Sequence, residues 1–327
     1  MMLTRRHLVR QLIAASIGAV VTPSLPGTPV FATDHMLHVA DLPIEGVADL
    51  FYADQRGYFK SAGLDVSIDV LANGQNFIAG VVAGTYDLAP TTIPAIAIAR
   101  EQGIMIKCVA PQGMYVSATP SALVLVLPDS PLHTARDLNG KTIASSGLNN
   151  LPAVALRVWL TKNGADASSV KVVEFPIAAM ADALRLGRID AAIVTEPFIT
   201  LAKDLRSLGS PYDAIAPRFI SSAWFASDTW LATNGDVARS FADAMRKTHV
   251  WANGRPKELI PMLQQATKIS SDLASTMRLS SWGTELDPNL IQPLLNVAAS
   301  AGMLPRPISA EDLIWKPGVE SQRLRGL

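Results

Sequence analysis

The feature that most constrains this chain is an alternation of short β-type runs with helical patterns, and the alternation occurs twice. In the first series, residues 37–40 read as a strand, and residues 47–62 as a helix stopped by Gly63. Val66, Ile68 and Val70 then alternate with Ser67 and Asp69 as a second strand. Residues 75–83 read as a helix ended by Gly84, 87–89 as a strand, 94–102 as a helix closed by Gly103, and 104–110 as a strand. The second series has strands at 123–127, 141–144, 170–175 and 190–194, with helices at 151–162, 178–186 and 197–208. Each series contains the same junction: Gly84-Thr85-Tyr86-Asp87-Leu88-Ala89 in the first, Gly187-Arg188-Ile189-Asp190-Ala191-Ala192 in the second. Strands alternating with helices predict an α/β protein built on parallel sheets with helices on both faces.

A length of 327 residues agrees with two lobes. Residues 222–233 look extended, and 236–301 are mainly helical. Helices that follow a finished second sheet need a surface to pack on, so the extended stretch is expected to return the chain to the first lobe. The expected domains are 33–116 with 222–327 as lobe 1, and 117–221 as an inserted lobe 2. The crossings, near 111–122 and 217–226, would form a two-strand hinge. In open α/β sheets a ligand sits outside the carboxyl ends of the strands, so the facing lobes would enclose one in a cleft.

Charge and cysteine content remove several functions. Lys plus Arg and Asp plus Glu both number 28, which leaves no broad positive field for nucleic acid. Cys108 is the sole cysteine, so an internal disulfide and Cys-rich zinc or iron–sulfur sites are excluded. The five histidines show no metal-ligand spacing beside acids, and no motif calls for a cofactor.

The chain begins with Arg5, Arg6 and Arg10, continues with an apolar run over 11–21, and then has Pro23, Pro26 and Pro29 before Val30-Phe31-Ala32. An apolar run of about 11 residues is shorter than the ~20 needed to span a bilayer, but it suits the core of an export signal cleaved near Ala32. The Arg5-Arg6 pair resembles a twin-arginine signal; an ordinary signal carrying two arginines is the alternative. The mature protein is expected in the periplasm.

Several stretches resemble a known family. Residues 51–66, Phe-Tyr-Ala-Asp-Gln-Arg-Gly-Tyr-Phe-Lys-Ser-Ala-Gly-Leu-Asp-Val, are similar to a stretch found in solute-binding proteins of ABC importers in the nitrate, sulfonate, taurine and thiamine-pyrimidine-precursor group. Residues 83–89, 99–104, 135–144, and 183–192 with Glu196-Pro197-Phe198 match in the same order. The resemblance implies a type II-like, two-lobed periplasmic-binding-protein fold. It also implies a small-molecule ligand, sulfonate-, taurine- or nitrate-like, and delivery to a permease and ATPase complex by a protein expected to be a monomer.

Candidate ligand-binding residues lie just after strands. Asp41 follows the first strand, where it could meet an amine or hydroxyls. Gly74 and Gln75 sit between a strand and a helix, as do Thr91 and Thr92. Ser145, Ser146, Asn149 and Asn150 precede a helix whose N-terminus carries about half a positive charge, which marks the strongest candidate for a polar or anionic head group. Glu196 follows a strand of the second series. Trp224 is a candidate stacking surface, with core packing as its alternative. An enzyme is the rival class, in the form of a relative of the same fold acting on a pyrimidine or aromatic acid. Ser145 and Ser146 lack a Gly-x-Ser-x-Gly elbow, so catalysis is not expected. Protein recovered from the periplasm should begin close to Thr33 on N-terminal sequencing; an intact Met1 would contradict the export reading.

Overall fold

The computed structural model describes residues 36–317 apart from Pro43, Ile44, Ala72, Asn73, Gln75, Asn149 and Ser280. The expected export segment and the candidates Gln75 and Asn149 therefore lie outside the described residues. Thirteen strands occur among those described: β1 Leu37–Asp41, β2 Val66–Val70, β3 Ala89–Thr92, β4 Ile106–Pro111, β5 Gly113–Val116, β6 Ala122–Val126, β7 Thr142–Ser145, β8 Lys171–Glu174, β9 Ala191–Thr195, β10 Arg206–Gly209, β11 Arg218–Ile220, β12 Ser222–Ser227 and β13 Ser281–Trp282.

Ten of them form two sheets of matching order. In the first, β2 pairs with β1 in parallel, a bridge from Val39 to Leu88 connects β1 to β3, and β12 lies between β3 and β4. The second runs β8-β7-β9-β6-β10. In both orders the fourth strand is antiparallel to its neighbours: β12 against β3 and β4, β6 against β9 and β10. The sheets are thus mixed and not uniformly parallel. The parallel pairs are joined through helices, as parallel connections require. The reversed strands are the two that each follow a strand of a third, smaller sheet, so they enter their sheet from its opposite end. In that third sheet β5 pairs with β11, Tyr115 opposite Phe219, and also with β13, Trp282 opposite Gly113. The expected two-strand hinge therefore carries a third strand.

Both main sheets are buried on two faces, and their inner strands read as continuous apolar runs instead of alternating ones. Every residue of β6 is buried. In β12, Trp224 packs with Leu50, Phe59 and Phe241 on one side, while Phe225 joins Phe77, Ile93 and Ile96 on the other. Successive side chains on a strand point to opposite faces, so this pair of aromatics divides between two cores.

Three expected elements change. The helix over 47–62 is broken into Ala48–Gln55 and Tyr58–Ser61 by Gly57, whose φ of 67° is left-handed. The helix over 197–208 is limited to Phe198–Leu201; a turn follows, and from Arg206 the chain is β10. There the Arg206 guanidinium donates to the Ser130 and Leu132 carbonyls, 2.8 Å each, a tertiary contact that overrides local helical preference. The extended stretch over 222–233 ends at Ser227, whose hydroxyl accepts the Trp230 N–H at 3.2 Å and caps the helix Asp228–Thr233.

Tyr115 fastens β5 to the segment after β10: its hydroxyl donates to Asp213 Oδ1 at 2.6 Å and lies 3.0 Å from Ser210 Oγ. Tyr115→Phe should lower unfolding free energy by ~1–3 kcal/mol, since the buried Ser210 hydroxyl loses its partner. Urea denaturation measures this, and an unchanged midpoint would contradict it.

Candidate functional site

At the carboxyl end of the first sheet, four polar residues come together around the start of β5. Asp41, the last residue of β1, is buried; its Oδ1 accepts the Leu42 N–H at 2.7 Å and its Oδ2 accepts Gln112 Nε2 at 3.2 Å. The Gln112 Oε1 accepts the Ser222 hydroxyl at 3.1 Å, and that hydroxyl in turn accepts the Gly113 N–H at 2.9 Å. Ser222 opposes Thr92 in the β12–β3 register. The Thr92 hydroxyl is buried without a hydrogen-bond partner, while Thr91 beside it is half-buried. Gly74 approaches the same region through Leu42: a Cβ there would stand 3.4 Å from the Leu42 side chain and 3.2 Å from Phe77.

The second sheet presents a different group. Ser145 ends β7 wholly buried and donates to the Gly147 carbonyl at 2.9 Å. The Asn150 amide meets the Ser146 hydroxyl at 3.2 Å. With Oδ1 toward the Ala153 N–H, 3.3 Å away, Asn150 caps the helix Leu151–Lys162. Turned over, it donates to the Gly147 carbonyl at 3.1 Å instead. Both orientations spend the amide on its own loop. Glu196, after β9, is also buried; it accepts the Thr200 N–H and hydroxyl at 3.1 Å each, and the Arg278 N–H at 3.4 Å. The Arg278 contact links the second sheet to the C-terminal helical region.

Trp224 corrects an expectation. Its side chain is completely buried, edge-on to Phe241 at 5.4 Å between ring centroids, so it packs the core and offers no face to a ligand. Gln112, Ser222, Asp49 and His249 are polar residues at this end of the molecule that sequence reading did not single out. The signal available for Gln112 was a polar side chain at the strand-to-strand crossing. An open depression of about 250 Å³ lies elsewhere, lined by Ile177, Ala181, Val194 and Phe198, with Asp182 and Arg185 paired at its rim.

Among the described residues, the buried acidic and basic side chains are Asp41, Asp49, Glu196 and His249, with no lysine or arginine. Burial first, and the negative charge of Asp49 second, push the Asp41 carboxyl well above its usual value of 3.8. No cluster of three or more metal-ligating side chains occurs among the described residues.

Comparisons with known proteins bear on this arrangement. Residues 45–259 match the family described as NMT1/THI5 like. A formylaminopyrimidine-binding protein of Halalkalibacterium halodurans is 24% identical over 220 residues, covering 65% of this chain and 64% of that protein. The bicarbonate transport ATP-binding protein CmpC of Synechocystis is 28% identical over 178 residues, 50% of this chain and 26% of that one. The chain thus spans less than two thirds of the length of either curated relative. The periplasmic aliphatic sulphonate binding protein SsuA of Escherichia coli superposes with a TM-score of 0.69 at 15% identity, covering 87% of this chain and 93% of SsuA. The periplasmic nitrate-binding protein NrtA of Synechocystis gives 0.71 at 13% identity and 89% of each chain. At these identities the likeness is one of fold, the two-lobed α/β fold of periplasmic binding proteins.

The raised Asp41 carboxyl makes a pH prediction. A carboxyl that holds its proton more tightly when folded lowers stability as pH rises from its ordinary value toward the raised one. Asp41→Asn cannot ionise, so its unfolding free energy relative to the wild type should improve as pH rises from about 4, the ordinary carboxylate value, upward. Denaturation curves across that range test this, and a difference that stays flat would contradict it.

Proposed function

Because the chain belongs to the NMT1/THI5-like family, we propose that it is the extracytoplasmic solute-binding component of an ABC importer, closing on a small polar organic solute and passing it unchanged to a permease. In this reading residues 33–116 with 222–327 form one lobe and 117–221 the other, and the three-stranded sheet around β5 is the hinge. The exported location, the monomeric state and the partnership with a permease and ATPase are part of the same proposal.

The observation that carries the solute class is the lack of any buried lysine or arginine among the described residues. An oxyanion such as a sulfonate or nitrate, desolvated near Asp41 and Glu196, would meet acids and no buried lysine or arginine among the described residues. A solute bearing N–H donors meets acceptors instead. Asp41 is positioned to take such a donor: it stands at the carboxyl end of a strand, and its neighbours Leu42 and Gln112 leave it without a cationic partner among the described residues. The unpartnered Thr92 hydroxyl is a second polar contact. The aminopyrimidine named for the Halalkalibacterium relative is a solute of this kind. The Ser145–Asn150 loop remains a candidate for the solute's other end. Binding without turnover agrees with Cys108, whose thiol burial pushes up to about 12, far from a reactive thiolate.

Calorimetry with a formylaminopyrimidine, taurine, an alkanesulfonate and nitrate tests the reading. The aminopyrimidine is expected to bind, and Asp41→Asn to weaken it by roughly 5- to 150-fold, the equivalent of ~1–3 kcal/mol for a lost buried partner. Binding of the oxyanions alone, or chemical conversion of the bound compound, would overturn it.

A further inference from the structure

Behind the β5 sheet lies a buried acid–histidine pair that is not among the proposed solute contacts. The helix Gly235–Gly254 presents His249 and Asn253, one turn apart, to the segment at β13. Asn253 brackets Trp282, donating to its carbonyl at 2.8 Å and accepting its N–H at 2.9 Å. His249 is wholly buried, with Nδ1 2.7 Å from the Gly283 carbonyl oxygen and Nε2 2.8 Å from Asp49 Oδ2. The Trp282 ring lies nearly parallel to the imidazole, 21° between planes.

Both ring nitrogens therefore face oxygen. A neutral imidazole carries one N–H, so the pair has to hold a second proton. It sits either on the ring, as an imidazolium facing a carboxylate, or on Asp49, whose hydroxyl then donates to Nε2. Either way Nδ1 bears the N–H given to Gly283, and Asp49 is what keeps it there. From Gly283 the bonding continues: its own N–H donates to the Gln112 carbonyl at 2.9 Å, and the Gln112 side chain donates to Asp41. The approach is close enough to require glycine, since a Cβ on Gly283 would fall 2.7 Å from Pro111.

We propose that Asp49 and His249 are positioning residues for solute capture: by keeping the proton on Nδ1 they hold Gly283 against the start of β5, and so fix the Gln112 side chain that orients Asp41. The inference rests on the reading of Asp41 as a solute contact, but its test needs no solute and so fails or succeeds separately.

The test is amide hydrogen exchange on the full chain. His249→Phe and Asp49→Leu should each speed exchange over residues 112–116 and 281–284 by roughly 5- to 150-fold, while the helix Leu151–Lys162 keeps its protection. Asp49→Asn, whose amide can still serve Nε2, should stay within roughly threefold of the wild type in the same peptides. If His249→Phe does not fold, the two Asp49 variants carry the comparison. Equal loosening of the Leu151–Lys162 helix, an unchanged β5 region in Asp49→Leu, or an Asp49→Asn as loose as Asp49→Leu would overturn the proposal.

Discussion

The side chain of Gln112 is the junction on which the arrangement turns. It stands where the chain leaves the first sheet, and its two polar ends bind Asp41 of β1 and Ser222 of β12. A buried amide left without those partners would cost ~1–3 kcal/mol each. Two returning segments, β12 and the one after β13, meet the same residue, through the Ser222 carbonyl and the Gly283 N–H. The start of β5 is thus tied to the first sheet, whereas Tyr115, three residues on, is tied to Ser210 and Asp213 beyond β10. One short strand holds anchors of both kinds, which is what a hinge needs if each core is to stay packed while the lobes rotate.

Much of this fold was legible in the sequence because local signals and tertiary packing agreed. The helix Leu151–Lys162 follows Asn150, has Pro152 in its first turn and stops before Asn163, and its expected limits coincide with those observed. The doubled Gly-x-x-Asp junction likewise marks equivalent points: the Asp87 carboxylate accepts the His38 N–H and the Asp190 carboxylate the Thr142 N–H, both at 2.8 Å. Where the sequence misled, a distant partner decided the outcome. Residues 206–208 carry a helical pattern, yet they lie in β10, which pairs with β6 as an edge strand. The reversed directions of β6 and β12 follow from the chain's path through the third sheet, which periodicity does not encode.

The candidate site was legible by position and less so by chemistry. Asp41, Thr92, Ser145 and Glu196 were found from a rule about strand ends, and each does end or follow a strand. What that rule missed was their setting: which acids are buried, which hydroxyl lacks a partner, and which residue joins them. Gln112 and His249 are polar residues in ordinary surroundings along the chain, and only tertiary packing brings Asp41 and Ser222 to the first and Asp49 and Gly283 to the second. Trp224 shows the opposite error, since an aromatic near a crossing is as suitable for a core as for a ligand, and here the core takes it.

The central claim is that this chain holds an N–H-bearing solute and returns it unchanged. Native mass spectrometry of the protein isolated from the cells that make it, followed by release and identification of whatever it carries, tests this most directly. The account predicts one unmodified solute with amine or amide donors bound to each chain; recovery of a sulfonate or nitrate, or of a reaction product, would contradict it.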